Sequence, residues 1–405
     1  MSGTDIAQPG ETHSEAQVTL PANARILVVK MAGIGDLLLA TPALRALRET
    51  YPQAQIDLLL TPASAGILDG WQVINRSIVL DKYLFDYPQQ ILKNPRNLRQ
   101  LAPLWRDLHG SHYDAVLLMH HLTLPFGRLK HQLLVRATGA KWRAGLDNGH
   151  GGFLNVRVPD RGFGAMHEAE YNLAIARAVG ATTTDTSLVV PLSEGERQQA
   201  RQLVYGEQEP EKVAHPIIAM HPGSGGYSTA RRWEPERFAQ VADTLFRETG
   251  GQLLLLGGPE EAELHEQIMG MLQPDVPARS LAGKGSIKVT AAVLELADLF
   301  IGNDSALMHL AVAGKTPSVA IFGLTNHKAW GPFTGNDPQR KATVVRLDLP
   351  CMPCFYRGHS LGTPEGCATR DCLTQLGIDP VTVAARRLLR ETQPAEQVEK
   401  IRRAK

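Results

Sequence analysis

Asp36 stands directly after a Gly33-Ile34-Gly35 turn that closes the branched run Arg25–Lys30 (RILVVK). The two glycines let this carboxylate stand at a helix N-terminus and face a cleft. The same residue would also serve as an ordinary helix cap. The two glycines equally open a dinucleotide fingerprint, with Asp57 where such folds place the acid that holds a ribose, but the third glycine position falls on Leu38. A second constellation is His221-Pro-Gly-Ser224-Gly-Gly followed by Arg231-Arg232-Trp233. A Gly/Ser loop offers amides and a hydroxyl, and paired arginines add forked cationic donors, so the segment suits a phosphate. A flexible turn with solvated arginines is the plainer reading, and no GxxxxGK[ST] loop occurs. In the third, Gly302-Asn303-Asp304-Ser305-Ala306-Leu307-Met308-His309, capping residues precede an apolar helix whose free amides would receive a diphosphate. His309, one turn in, could donate to that group or be a satisfied core histidine.

Two further groups stand apart from these. Between Asp114 and Asp147 there is no acid, while Arg128, Lys130, Arg136, Lys141 and Arg143 accompany His120, His121 and His131. Such a surplus fits an anionic acceptor or a membrane surface, or is a solvated basic face. Cys351, Cys354, Cys367 and Cys372 fall in one short segment as CxxC and CxxxxC. That spacing makes them candidates for a structural zinc or a cluster, with free thiols or a labile disulfide as the alternatives.

The elements that must position these residues alternate strand and helix. Arg25–Lys30, Ile56–Leu60 and Ala115–Met119 read as strands, with helices over about 36–50 and 168–180. The same order restarts at Ile217–Met220, continues through helix Pro235–Thr249 and strand Gln252–Leu256, and ends at strand Ser318–Phe322. This alternation predicts an α/β chain of two Rossmann-like domains with parallel sheets, and a ligand in the cleft between their strand ends. The expected organisation is a disordered tail over 1–23, a first domain over 24–190, a linker over 191–215, a second domain over 216–348, and a Cys-containing segment with a terminal helix over 349–405. The 405 residues carry 42 Lys+Arg against 41 Asp+Glu, a net charge of +1 that argues against nucleic acid as a bulk partner. The polar, acidic opening lacks a signal-peptide pattern, no apolar run approaches a membrane span, and cysteines are absent outside one segment, so a cytoplasmic enzyme is expected.

At ILVVKMAGIGDLLLATPALRALRETYP, MHPGSGG…RRWEPERFAQVADTL, LLLLGGPEE and LADLFIGNDSALMHLAVAGKTPSVAIFGLTN…WGP the chain resembles glycosyltransferase family 9, the bacterial heptosyltransferases. The resemblance implies a GT-B fold, an acceptor on the first domain, a nucleotide sugar on the second, and an inverting, metal-independent transfer that requires no cofactor. It implies Asp36 as general base, Ser224 and Arg231 on the diphosphate, Glu260 on the ribose, and Asp304, Ala306 and His309 at the diphosphate-binding helix start. Many relatives carry Lys in place of Arg231. Arg128, Lys130 and Arg136 are the candidate acceptor contacts. The implied partners are a nucleotide sugar, with ADP-heptose foremost, and an anionic glycolipid of lipopolysaccharide-core type, met at the inner membrane surface. The alternatives are a Rossmann-type oxidoreductase or epimerase built on Gly33 and Gly35, and a sugar-nucleotide-binding subunit without turnover. The chain departs from the family in its longer ends and in the stretch 61–112.

Overall fold

The protein is described by a computed structural model over residues 17–85 and 101–392. Its first sheet is built from β1 (Arg25–Val29), β2 (Gln55–Leu60), β3 (Arg76–Val79), β4 (Ala115–Leu118), β5 (Trp142–Asp147) and β6 (Val156–Pro159), in the order β3-β2-β1-β4-β5-β6. The second comprises β7 (Ile217–His221), β8 (Gln252–Leu255), β9 (Ala278–Ser280), β10 (Leu299–Asn303), β11 (Ser318–Ile321) and β12 (Ala342–Val345), in the order β12-β11-β10-β7-β8-β9. All neighbouring pairs are parallel. Counted from each sheet's own first strand, the two orders are identical, so each has its switch point between its first and fourth strands. Strands β4, β7 and β10 are buried along their whole length and β1 in all but Arg25. Such continuous burial is why they read as unbroken apolar runs, being covered by helices on both faces.

The helix expected over 36–50 is two helices, Ile34–Leu38 and Thr41–Thr50. Pro42 has no N–H to donate, so the chain breaks and restarts with proline in the new first turn. Gly180 does end helix Glu168–Ala178, at φ +82°. The segment expected as a tail needs correction where it is described. Gln17 and Val18 donate to the Ala178 carbonyl, Leu20 donates to the Tyr51 hydroxyl, and the Leu20 side chain is 5% exposed. Residues 1–16 lie outside the described residues. Helix Glu194–Tyr205, in the expected linker, opens with a Ser193/Glu196 capping box and packs on helix Ile287–Glu295, tied by Arg197–Glu295 at 3.1 Å and Lys288–Glu196 at 3.1 Å. Helix Ile378–Thr392 buries Val381, Leu388 and Leu389 against the second sheet and helix Pro235–Thr249, so the chain's end completes the second core.

Candidate active site

Asp36, the 120–136 stretch, Ser224 with Arg231, and the 304–309 turn follow β1, β4, β7 and β10, the strands that flank the two switch points, where ligands of open parallel sheets gather. Gly33 sits at the N-cap position of helix Ile34–Leu38 without a side-chain cap. Asp36 does not cap that helix; its Oδ1 accepts from Trp330 Nε1 of the second domain at 3.2 Å. The base candidate is therefore held across the cleft. Helix Ile34–Leu38 packs directly on helix Ala306–Ala313, and a Cβ on Gly35 would lie 2.9 Å from His309 Cδ2 and 3.5 Å from Ala306 Cα. Glycine at 35 is thus required by a contact between domains. On the same rim Lys30 Nζ donates to the Met119 carbonyl at 3.0 Å, and Met31 N donates to His120 Nε2 at 2.8 Å. Burial and the nearby Lys30 and Lys82 charges hold the His120 ring well below its usual range and therefore neutral.

Across from Asp36, Ser305 precedes helix Ala306–Ala313 but does not cap it, since its Oγ pairs with His221 Nδ1 at 2.9 Å. The first amides of that helix stay available to an anion. Arg231 lies beside them: Nη1 donates to the Asp304 carbonyl at 3.0 Å, Nη2 donates to the Ser224 carbonyl at 2.8 Å, and the Asp304 carboxylate is 3.5 Å away. Its Nε is buried without a partner. Burial raises the Asp304 carboxyl above its ordinary range, opposed by Arg231 and reinforced by Asp36, so the two carboxylates sense each other across the cleft. His309 is 3% exposed, its Nδ1 has no partner, and burial presses its pKa down to about 3. It is neutral, with one nitrogen unsatisfied at the helix start.

Ser224 and Glu260 lie on the two loops beside Arg231 and after β8. The Ser224 hydroxyl donates to the Ser228 carbonyl at 2.7 Å and its amide donates to Glu261 at 3.2 Å, so here Ser224 positions Arg231 through its carbonyl. Of the two adjacent acids, Glu260 is exposed, whereas Glu261 is 2% exposed and was missed. Glu261 accepts from the amides of Ser224 and Gly258, pairs with His221 Nε2 at 3.0 Å, and lies 3.5 Å from Arg232. Burial would raise its carboxyl, but His221, the Gly258 amide and Arg232 outweigh that and hold it at about 2. It welds the Gly/Ser loop to the turn after β8. The doublet Glu260-Glu261 carried no signal as to which acid turns inward.

Asp57 is 1% exposed, 2.8 Å from Arg76 Nη2, and accepts from the Tyr113 hydroxyl at 2.7 Å. It is not at the cleft, and Leu38 is wholly buried where a dinucleotide fold needs glycine, so nothing is left of the fingerprint reading. Arg128 and Lys130 belong to helix Pro125–Ala137, with Arg128 Nε donating to the Leu122 carbonyl at 3.0 Å and Lys130 over the Phe126 ring, while Arg136 is exposed on its last turn.

His121, one residue past His120, lies between Asp160 and Glu168 at 2.9 Å each. Burial disfavours its charge, but the two carboxylates prevail and raise it to about 9 from 6.5. Stability from this cluster is therefore complete below pH 6.5 and is lost as pH rises through about 9. The shift corresponds to roughly 3 kcal/mol. In thermal melts, the wild type is expected to lose stability steadily from pH 6.5 to pH 9.5, and the neutral triple variant His121→Phe/Asp160→Asn/Glu168→Gln to lack that slope. Parallel pH profiles would disprove the assignment.

The four cysteines are free thiols that lie close enough to affect one another: burial and then the other three push Cys372 up to about 11. Yet among the described residues no group of three or more His, Cys, Asp or Glu side chains is placed to hold a metal ion. Three of the thiols are exposed and one is buried.

The profile of glycosyltransferase family 9 (heptosyltransferase) matches residues 101–363, well over half of the chain. The chain is 29% identical over 315 residues to lipopolysaccharide heptosyltransferase 3 of Escherichia coli K12, spanning 75% of this chain and 83% of that protein. Its fold is similar to the structure of E. coli ADP-heptose LPS heptosyltransferase II, with a TM-score of 0.66 at 22% identity over 91% of this chain and 99% of that one. It is also similar to the dodecameric iron-containing glycosyltransferase TibC of enterotoxigenic E. coli H10407, with a TM-score of 0.53 at 16% identity over 93% and 78%. These likenesses, with the two parallel sheets of repeated order, establish the GT-B fold. With the family profile spanning strands β4–β6 of the first sheet and the whole of the second, the chain belongs to glycosyltransferase family 9, the heptosyltransferases.

Proposed function

We propose that the protein transfers heptose from ADP-heptose, with inversion, to an anionic lipopolysaccharide-core acceptor. One observation carries the reading: a carboxylate free of capping duty on the first domain and an uncapped helix start beside an arginine on the second meet where Gly35 touches His309. Asp36 takes the proton of the acceptor hydroxyl as its oxygen attacks the anomeric carbon. The carbon–oxygen bond to the diphosphate breaks, and Arg231 with the first amides of helix Ala306–Ala313 receives the developing negative charge. His309 donates from that helix, and exposed Glu260 holds the ribose. With Arg231 and the helix amides as counter-charges, the leaving group requires no metal or cofactor in this reading.

The acceptor arrives from a lipid surface. Helix Pro125–Ala137 exposes Leu129 (48%) and Leu133 (52%) one turn apart beside Arg128 and Arg136, a face suited to anionic headgroups. Among the described residues no helix is long and apolar enough to cross a membrane.

The test uses one preparation. ADP and ADP-heptose should each raise the melting temperature by several degrees at saturation, since ligand at about 100 times Kd contributes roughly 2.7 kcal/mol. UDP-sugars and NADH should not. The protein should also sediment with phosphatidylglycerol vesicles and less so after Leu129→Ser/Leu133→Ser. Stabilisation by NADH alone would overturn the transferase reading, and sedimentation unaffected by the two leucines would overturn the lipid face.

A further inference from the structure

The segment between Cys354 and Cys367 leaves the second domain, crosses to the first and returns. At its root Cys354 N and Phe355 N donate to the Leu324 carbonyl at 3.1 and 3.0 Å. At its far end the Gly358 carbonyl accepts from Phe163 N at 2.8 Å, and a Cβ on Gly162 would lie 3.0 Å from the Gly358 carbonyl, so the two backbones abut. His359 adds a contact to Asp160 at 3.2 Å. The loop is a strap fastened to both domains.

Between the two fastenings stands Tyr356, at φ +56°. A side chain with a Cβ avoids this left-handed region, and where surrounding structure enforces it the residue is commonly one whose direction matters. The Tyr356 ring packs on Trp330 at 4.6 Å between centroids and on Phe163 at 5.5 Å. Trp330 is the residue that donates to Asp36. The Tyr356 hydroxyl lies beside that of Tyr227 and in the combined field of the Asp36 carboxylate and the Arg231 guanidinium. Burial keeps it protonated, so it can both donate and accept a hydrogen bond. A hydroxyl on a ring packed against the tryptophan that holds the base, and sensing both that base and the arginine that meets the diphosphate, lies near what joins them in the transfer, the sugar itself.

We propose that Tyr356 hydrogen-bonds the transferring sugar of the donor, and that the strap between Cys354 and Cys367 is the element that carries it into the cleft. The proposal rests on the donor reading above and assigns a sugar-contacting residue to a segment outside both sheets. Its test is calorimetric binding of ADP and of ADP-heptose to the wild type and to Tyr356→Phe, which keeps the ring packing and removes only the hydroxyl. The variant should bind ADP within about twofold of the wild type and ADP-heptose about tenfold more weakly, the scale of one hydrogen bond lost with its partner left unpaired. Equal weakening toward both ligands would mean that Tyr356 only holds the cleft together, and would overturn the proposal. Unchanged affinity for both would overturn it as well. A wild type that binds neither ligand overturns the donor reading and this assignment with it, whereas with a wild type that binds both, a failed prediction counts against Tyr356 alone.

Discussion

Replacing Asp36 with Asn is expected to slow heptose transfer about 1000-fold, the middle of the range for loss of a general base, while the donor still binds as in the wild type. The substitution keeps the shape and leaves an amide oxygen able to accept from Trp330 Nε1, the 3.2 Å bond that orients the carboxylate. What disappears is a proton acceptor at the point where the two domains touch. Initial rates with purified acceptor, set beside ADP binding by calorimetry, separate the two effects. Turnover above about a tenth of wild type would remove Asp36 from the base role, and weakened ADP binding would place it on the donor instead.

Arg231→Ala should be nearly as damaging, with a loss of about 100- to 1000-fold in kcat/KM, because it withdraws a positioned cation from the leaving diphosphate. Two backbone carbonyls, from Asp304 and Ser224, hold the guanidinium in advance, so no reorganisation is needed when charge develops. The loss also reaches Asp304, whose buried carboxyl is already raised and whose opposing charge is Arg231. Without the arginine it holds its proton more strongly, so Arg231→Ala/Asp304→Asn should lose little more than the single variant. Arg231→Lys should recover part of the rate, since the charge returns without the forked geometry. Steady-state kinetics across the four proteins decide this, and a Lys variant no better than Ala would exclude charge as the contribution of residue 231.

Much of this architecture was legible from residue pattern. The strands at both switch points are rich in branched residues and buried in all but Arg25, so β1, β4, β7 and β10 announce themselves, and the ligand-facing turns follow them. Asp36, Arg231 and the 304–309 turn were marked out by glycines, paired arginines and capping residues after strands, each of which also has a plainer use as a cap or a solvated turn. Other features are long-range and left no local trace. Glu261 differs from Glu260 only in the direction it faces, and that is set by Gly223 and Gly257, whose lack of Cβ makes room for its carboxylate. The His121 cluster gathers acids from beyond β6 and from a helix start. Trp330 lies 294 residues from the carboxylate it orients. The break at Leu39–Ala40 was available in principle, since Pro42 is in plain view, but the apolar periodicity continued across it.

That separation of 294 residues has a meaning during synthesis. The first sheet is complete at Pro159, and a domain of this kind can fold while the rest of the chain is still being made. Such a nascent chain carries Asp36 but neither the tryptophan that orients it nor a helix start to receive a diphosphate. The strap that fastens the second domain to the first arrives later still, and the helix that closes the second core follows it. At that stage Asp36 therefore stands without its partner, and its contact with Trp330 forms only once the second domain has been made.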